Sequence, residues 1–249
     1  MSDIITEKPE LEILYQDEWL VAVNKPSGLF VHRSFLDKDE IYFALQLVRD
    51  MVGQHVYPLH RLDRPTSGVL LFGLSSEVAN VMGSLFEQRE IEKHYLALVR
   101  GHLLENVVVD HPLKVKLDKI GDKFASEEQE AKDSMTEIKH IAHATLPIAV
   151  GKYPTVRYTL VSANPKTGRR HQIRRHLSHL RYPIIGDVNY GDNKQNPFFH
   201  QHFGFKRLML HAQSIAFEHP YLKKPVRIEA KLDENWCSVL QELNITHSF

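Results

Sequence analysis

The stretch His60-Arg61-Leu62-Asp63-Arg64-Pro65-Thr66-Ser67-Gly68 runs straight into the apolar Val69-Leu70-Leu71-Phe72, and it constrains the fold more than any other. Pro65 and Gly68 fix a bend, whereas four consecutive apolar residues need cover on both faces. The bend therefore belongs at the mouth of an interior strand, at the edge of a sheet rather than within it. Asp63 stands in that bend between Arg61 and Arg64. A guanidinium within a few ångströms favours the ionised carboxylate. Such a residue either braces the turn or presents a charged acid, and the rest of the chain has to decide which.

Lys93 to Gly101 is a second run that is apolar on both faces and predicts another interior strand ending at glycine. Leu11 to Asn24 predicts two strands around a turn at Gln16-Asp17-Glu18. Asn24-Lys25-Pro26-Ser27-Gly28 breaks them, and Leu29 to His32 is expected to resume extended structure. Helices are expected over Ile41–Val52, on Phe43, Leu47 and Met51, and from the Ser75-Ser76-Glu77 cap to about Arg89. The turn Asn164 to Gly168 leads into a helix reaching about Leu180, with Ile173, Leu177 and Leu180 as its buried stripe. Arg174 falls about 100° from that stripe, where an arginine can line a cleft. Further extended segments are expected at Glu137–Ile141, Thr155–Ser162 and Leu208–Ala230, and a last helix at Glu234–Leu243. Gly121 to Asp133 reads as a polar loop and Asn193 to Phe205 as a polar, aromatic-rich insertion. Strands outnumber helices without alternating with them, which predicts α+β rather than a doubly wound sheet.

The 249 residues carry 31 basic and 31 acidic side chains. A neutral total argues against a nucleic-acid binder, but its distribution argues the other way. Between Ile138 and Gly186 there are nine Lys or Arg, five His and no Asp or Glu, while Leu117 to Glu137 holds seven acids against three lysines. Segregation of this kind gives part of the surface a field that a polyanion can feel. The single Cys237 predicts a reducing, cytoplasmic setting, the first residues lack a signal-peptide pattern, and no apolar run approaches the ~20 residues of a membrane span.

The residues exclude several chemistries. His171, His176 and His179 have the wrong spacing for a metal cage, and one cysteine cannot supply a thiolate set, so no metal is expected. Thr167-Gly168-Arg169 looks like a phosphate-cradling turn before a helix but lacks the P-loop pattern, and no GxGxxG follows a strand. A glycosidase would want two carboxylates, and Asp187, the possible second, sits among glycines that suggest turn construction. One carboxylate, several arginines and an anion-attracting region remain. A lone Asp can act as nucleophile or base without a cofactor, and an enzyme that works on a base in folded nucleic acid must flip that base out.

The His60–Gly68 stretch resembles the HRLDxxTSG motif of the RluA family of pseudouridine synthases. Four further blocks agree in order: Asn24–Gly28, the Lys93-x-Tyr95-x-Ala97-x-Val99-x-Gly101 strand, Thr167–Arg174, and Gly186-Asp187 with Tyr190-Gly191. The resemblance covers about Leu11 to Ala230. It implies an α+β pseudouridine synthase fold, with a central mixed, largely antiparallel sheet, flanking helices and a catalytic cleft. It also implies a single catalytic domain over residues 1–249, with its core at about 11–230. Related enzymes often carry an N-terminal S4-type RNA-binding domain, and with only about ten residues ahead of the resemblance none is expected here.

The resemblance implies that Asp63 breaks the C1′–N1 bond of a uridine, by attack on the sugar or base or by removing the 2′ proton. Tyr95 would stack on the uracil and could take the C5 proton, and Arg174 would pair with Asp63. Arg61 would fill the place of the flipped uridine, with Ile173 packing against Tyr95. RNA contacts are expected from Lys25, Arg169, Arg170, His171 and Gln172. Arg64-Pro65 and the His202–Ala212 block look most like members that modify uridine 65 of certain tRNAs. The expectation is thus a monomeric, cofactor-free tRNA-modifying isomerase. Ribosomal RNA as substrate, or a non-catalytic RNA-binding role, are the alternatives.

Overall fold

The structure, a computed structural model, describes residues 7–33, 40–114 and 130–246. In chain order the elements are β1 (Glu12–Gln16), β2 (Leu20–Lys25), α1 (Ala44–Val52), β3 (Tyr57–Pro58), β4 (Ser67–Gly73), α2 (Ser76–Gln88) and β5 (Glu92–Arg100). Then follow β6 (Val107–Asp110), β7 (Met135–Leu146), β8 (Val156–Pro165), α3 (Gln172–His179), α4 (Gln195–Phe203), β9 (Leu210–Glu218), β10 (Pro225–Glu229) and α5 (Glu234–Glu242). This is the α+β pattern, strands in series with helices between some of them. The chain divides into two compact units, Met1–Lys93 with Lys114–Ala131 and Ala212–Ala230, and His94–Leu113 with Lys132–His211 and Lys231–Phe249.

The first unit is ordered β1-β2-β4-β9, with β10 on β9 and β3 on β4. Both predicted interior features of Val69–Phe72 hold, since every residue of β4 is buried. Antiparallel pairing of β2 with β4 runs from Leu20↔Gly73 to Lys25↔Gly68. That register brings the break after β2 alongside the bend before β4. Leu20, Ala22, Val69 and Leu71 share a core with Val78 and Met82 of α2. Ser75 caps α2 by accepting the Val78 N–H at 3.2 Å, and Arg89 ends it in the left-handed region at φ 63°.

Two expectations fail here. Leu29 to His32 is extended only as far as an isolated parallel bridge from Phe30 to Phe43 and forms no strand, because the carbonyls of Phe30 and Val31 accept the N–H groups of Ala44 and Leu45, each at 2.9 Å. They satisfy the first donors of α1, whose N-cap Phe43 offers no side-chain acceptor. The buried face of α1 is Ala44, Leu47 and Val48, leaving Met51 45% exposed.

The second unit is ordered β5-β8-β7-β6, antiparallel throughout. β7 is far longer than the predicted Glu137–Ile141 and carries a bulge between His140 and Ala142. Its core joins Leu98, Tyr158 and Leu160 to Ile173 and Leu177 of α3 and Trp236 of α5. The Asn193–Phe205 insertion holds a helix, α4. Asp192 accepts the N–H groups of Lys194 and Gln195, and the fully buried Phe199 lies edge-on to Tyr158 at 5.3 Å. Burying such a ring contributes roughly 1.5–3 kcal/mol. The polar stretch around Gly121 expected to be a loop falls outside the described residues for 115–129. Among the described residues no helix is long and apolar enough to cross a membrane.

Candidate active site

In the first unit the structure explains why the bend holds Asp63 where it does. The backbone N–H of Thr66 returns to the carbonyl of Asp63 at 3.0 Å, closing a tight turn. The Asn24–Gly28 block then locks the turn from outside. Gly28 N–H donates to the Arg64 carbonyl at 2.8 Å, Ser27 Oγ to the Pro65 carbonyl at 2.7 Å, and Arg64 Nε to the Gly28 carbonyl at 2.9 Å. At the other end Gly68 has φ 112°, and a Cβ there would lie 2.1 Å from the Ala212 carbonyl oxygen, so only glycine fits. Asp63 is half-buried and Arg61 is exposed.

His60 pins the bend to β4, its Nε2 accepting the Leu71 N–H at 3.1 Å. A ring nitrogen that accepts carries no proton, so the imidazole is held neutral. Burial, helped by the charge of Lys93, pushes its pKa down to about 4.

Two first-unit expectations need correction. Lys25 is no RNA contact, since it is fully buried and its ammonium donates to the carbonyls of Pro26, Leu29 and Arg64 at 2.8–3.2 Å. It braces the bend, because a buried ammonium needs such acceptors. Arg64, a neighbour credited with keeping Asp63 ionised, is instead bonded to Glu40 and stacked over the Phe30 ring at 4.5 Å.

In the second unit Tyr95 stands half-buried on β5, opposite Ala163 of β8, and packs against the same core as Ile173. Arg174 does not line an open wall. It is 2% exposed and grips Asp187 with two hydrogen bonds, Nε to Oδ2 at 2.7 Å and Nη2 to Oδ1 at 2.8 Å. The fork geometry is the strong form of this pair. Burial raises the Asp187 carboxyl, but the Arg174 bonds and charge, with the N–H groups of Asn189 and Tyr190, outweigh it and hold the pKa below the usual carboxylate value. The Arg174 guanidinium also lies 5.3 Å from the centre of the Tyr190 ring. Asp187 builds the turn, as the glycines around it suggested. Sequence gave no sign that it also anchors Arg174, since thirteen positions separate the two and no periodicity links them.

The Thr167–His171 turn is organised by Gln172, which corrects its expected RNA role. Gln172 is 4% exposed, its Oε1 accepts from Thr167 Oγ1 (2.6 Å) and Arg169 N–H (3.0 Å), and its Nε2 donates to the Met135 carbonyl and Thr136 Oγ1. Behind it, His176 Nε2 donates to the His111 carbonyl at 3.1 Å, which leaves Nδ1 to accept from Thr136 at 2.9 Å. Burial lowers the His176 pKa, consistent with that neutral tautomer. The turn thus holds Arg169 and Arg170 exposed before α3, while His171 shares a hydrogen bond with the Tyr190 hydroxyl at 3.1 Å. Exposed guanidiniums beside a helix N-terminus suit a phosphate. Among the described residues no three His, Cys, Asp or Glu side chains are grouped to hold a metal ion.

Comparison with known proteins adds three findings. The sequence profile of the family described as RNA pseudouridylate synthase matches residues 19–179. The tRNA pseudouridine synthase C of Vibrio cholerae serotype O1 is 55% identical over 232 residues, covering 93% of this chain and 95% of its own; that of Pasteurella multocida is 52% identical, covering 95% and 99%. Among solved structures, Human RNA Pseudouridylate Synthase Domain Containing 1 superposes with a TM-score of 0.69 at 25% identity, covering 96% of this chain and 98% of that one.

Proposed function

The chain belongs to the RNA pseudouridylate synthase family, and from that membership we propose that it isomerises uridine 65 of tRNA to pseudouridine. Two relatives alike over more than nine-tenths of the chain are named for tRNA, which supports tRNA as the substrate. Position 65 is supported by the Arg64-Pro65 and His202–Ala212 blocks. The observation that carries the catalytic reading is the Asp63 bend, restrained by glycine, lysine, serine and histidine partners on every side. A turn braced to this degree keeps an acid within the tolerances that bond-breaking demands.

The reaction balances within one nucleoside. The C1′–N1 bond breaks, the uracil turns, a C1′–C5 bond forms, and the proton lost from C5 is matched by one gained at N1. No oxidant or co-substrate is required, and neither metal nor cofactor enters the proposal. Asp63 performs the cleavage, Tyr95 stacks on the uracil, and Arg174, held in place by Asp187, is the catalytic arginine. Arg61 occupies the emptied stack, Ile173 backs Tyr95, and Arg169, Arg170 and His171 meet phosphate. The protein works as a single catalytic domain and as a monomer in the cytoplasm.

The test uses a tRNA transcript labelled with tritium at uracil C5, which pseudouridine formation releases to water. The purified protein is expected to release it, and Asp63→Asn to release none while binding tRNA within a few fold of the parent. Release by the Asn variant would remove Asp63 from its role, and no release by the parent would remove the function.

A further inference from the structure

A cavity of about 420 Å³ opens in the first unit, lined by none of the residues proposed to act on the uridine. Its volume falls in the range of roughly 300–1,000 Å³ that holds small organic ligands. Phe43 and Val56, 3% and 1% exposed, give it an apolar floor, and Ile41 stands 57% exposed at its rim. Around them are two guanidiniums, Arg33 and Arg49, and two imidazoles, His32 and His55, with no carboxylate among the lining residues. Arg49 gives Nε and Nη2 to one oxygen of Asp50, an acid outside the lining, which leaves its Nη1 donors for another anion. The Arg33 guanidinium lies 5.5 Å from the centre of the Phe43 ring.

An exposed aliphatic side chain, a guanidinium braced on a buried aromatic ring and a second guanidinium suit a flat ring joined to an anion. Unstacked bases are recognised on aromatic rings and guanidinium planes, and phosphates by arginine forks. The cavity wall is also tied to the catalytic bend. Phe30 and Val31 carry the carbonyls that hold Ala44 and Leu45, and the Phe30 ring lies beneath Arg64, the residue after Asp63. A nucleotide held here is therefore held in register with Asp63 through bonded neighbours.

We propose that this cavity is a second nucleotide subsite, taking one unpaired nucleotide of the substrate RNA other than the uridine that reacts. Its base lies against the exposed Ile41 side chain and the Arg33 guanidinium plane, and its phosphate on Arg49. The inference rests on the reading of the chain as an enzyme acting on RNA. A free mononucleotide offers the same chemistry, so the experiment separates the two sources.

The first measurement is tritium release from the labelled tRNA transcript by the double variant Arg33→Ala/Arg49→Ala. KM is expected to rise about tenfold with kcat retained, the loss that one or two phosphate contacts produce. Both side chains are exposed, so the thermal unfolding midpoint checks that the fold survives. The second measurement follows the ring signals of His55 by NMR in the full-length Asp63→Asn protein, so it reads binding even where no pseudouridine forms. Adding the tRNA transcript is expected to move those signals, and adding UMP alone to move them far less. An unchanged KM, or His55 signals that move with UMP and ignore tRNA, would overturn the subsite. Failure of the parent to release tritium while tRNA still moves His55 would overturn the reaction and leave the subsite standing.

Discussion

Arg174 and Asp187 meet with side chains 3% and 0% exposed, so each is the other's protection against burial. Removing one partner leaves a charge without compensation, which typically costs about 3–5 kcal/mol. Asp187→Asn is accordingly expected to lower the unfolding midpoint in urea strongly and to lower kcat with it, since Arg174 loses its fixed orientation. A midpoint near that of the parent would show that the pair is dispensable. His60 makes a different demand. Its folded pKa of about 4 lies below the ordinary 6.5, so the unfolded chain binds the proton more readily. Its contribution is complete above about pH 6.5 and is lost as pH falls toward about 4. His176 is lowered in the same direction, whereas the lowered carboxylates of Asp17, Asp187 and Asp192 act below 3.8. Urea midpoints across this window should fall steeply for the parent and less steeply for His60→Asn, which can accept the Leu71 N–H but cannot be protonated. Parallel curves would contradict the assignment.

At the scale of elements, the Gly186–Gly191 turn is the most confined piece of backbone bearing on Arg174. Gly186 has φ 76°, and a Cβ there would lie 1.9 Å from the Arg207 carbonyl oxygen. Gly186→Ala is therefore expected to destabilise by well over 1 kcal/mol, with thermal unfolding as the measure. A loss below about 1 kcal/mol would mean that the turn yields. The elements legible in the sequence are those whose cause is local. Val69–Phe72 and Leu96–Val99 announce interior strands by continuous apolarity, and Ile173 and Leu177 mark α3 by spacing. What was not legible depends on distant partners. α4 forms because the Asp192 carboxylate takes the N–H groups of Lys194 and Gln195 at its entry and Tyr158, far back in the chain, receives Phe199. Leu29–His32 has strand composition but spends its carbonyls on α1. The motif residues could be found one by one, yet Lys25 and Gln172 look like surface contacts until their acceptors are seen.

For the molecule as a whole, charge is the informative quantity. The formal sum is zero, but of the nine cations between Ile138 and Gly186 only Arg174 is buried, and Lys166 is half-engaged by Glu137 at 3.0 Å. The rest leave a locally basic stretch of a neutral chain, which favours local and salt-sensitive binding of a polyanion over general affinity for nucleic acid. Such a protein needs a defined RNA target. Pseudouridine mapping of tRNA and ribosomal RNA from cells with and without the gene tests that most directly. Loss of pseudouridine at uridine 65 of tRNA, with ribosomal sites unchanged, is the predicted result. A lost ribosomal site with intact tRNA would contradict it.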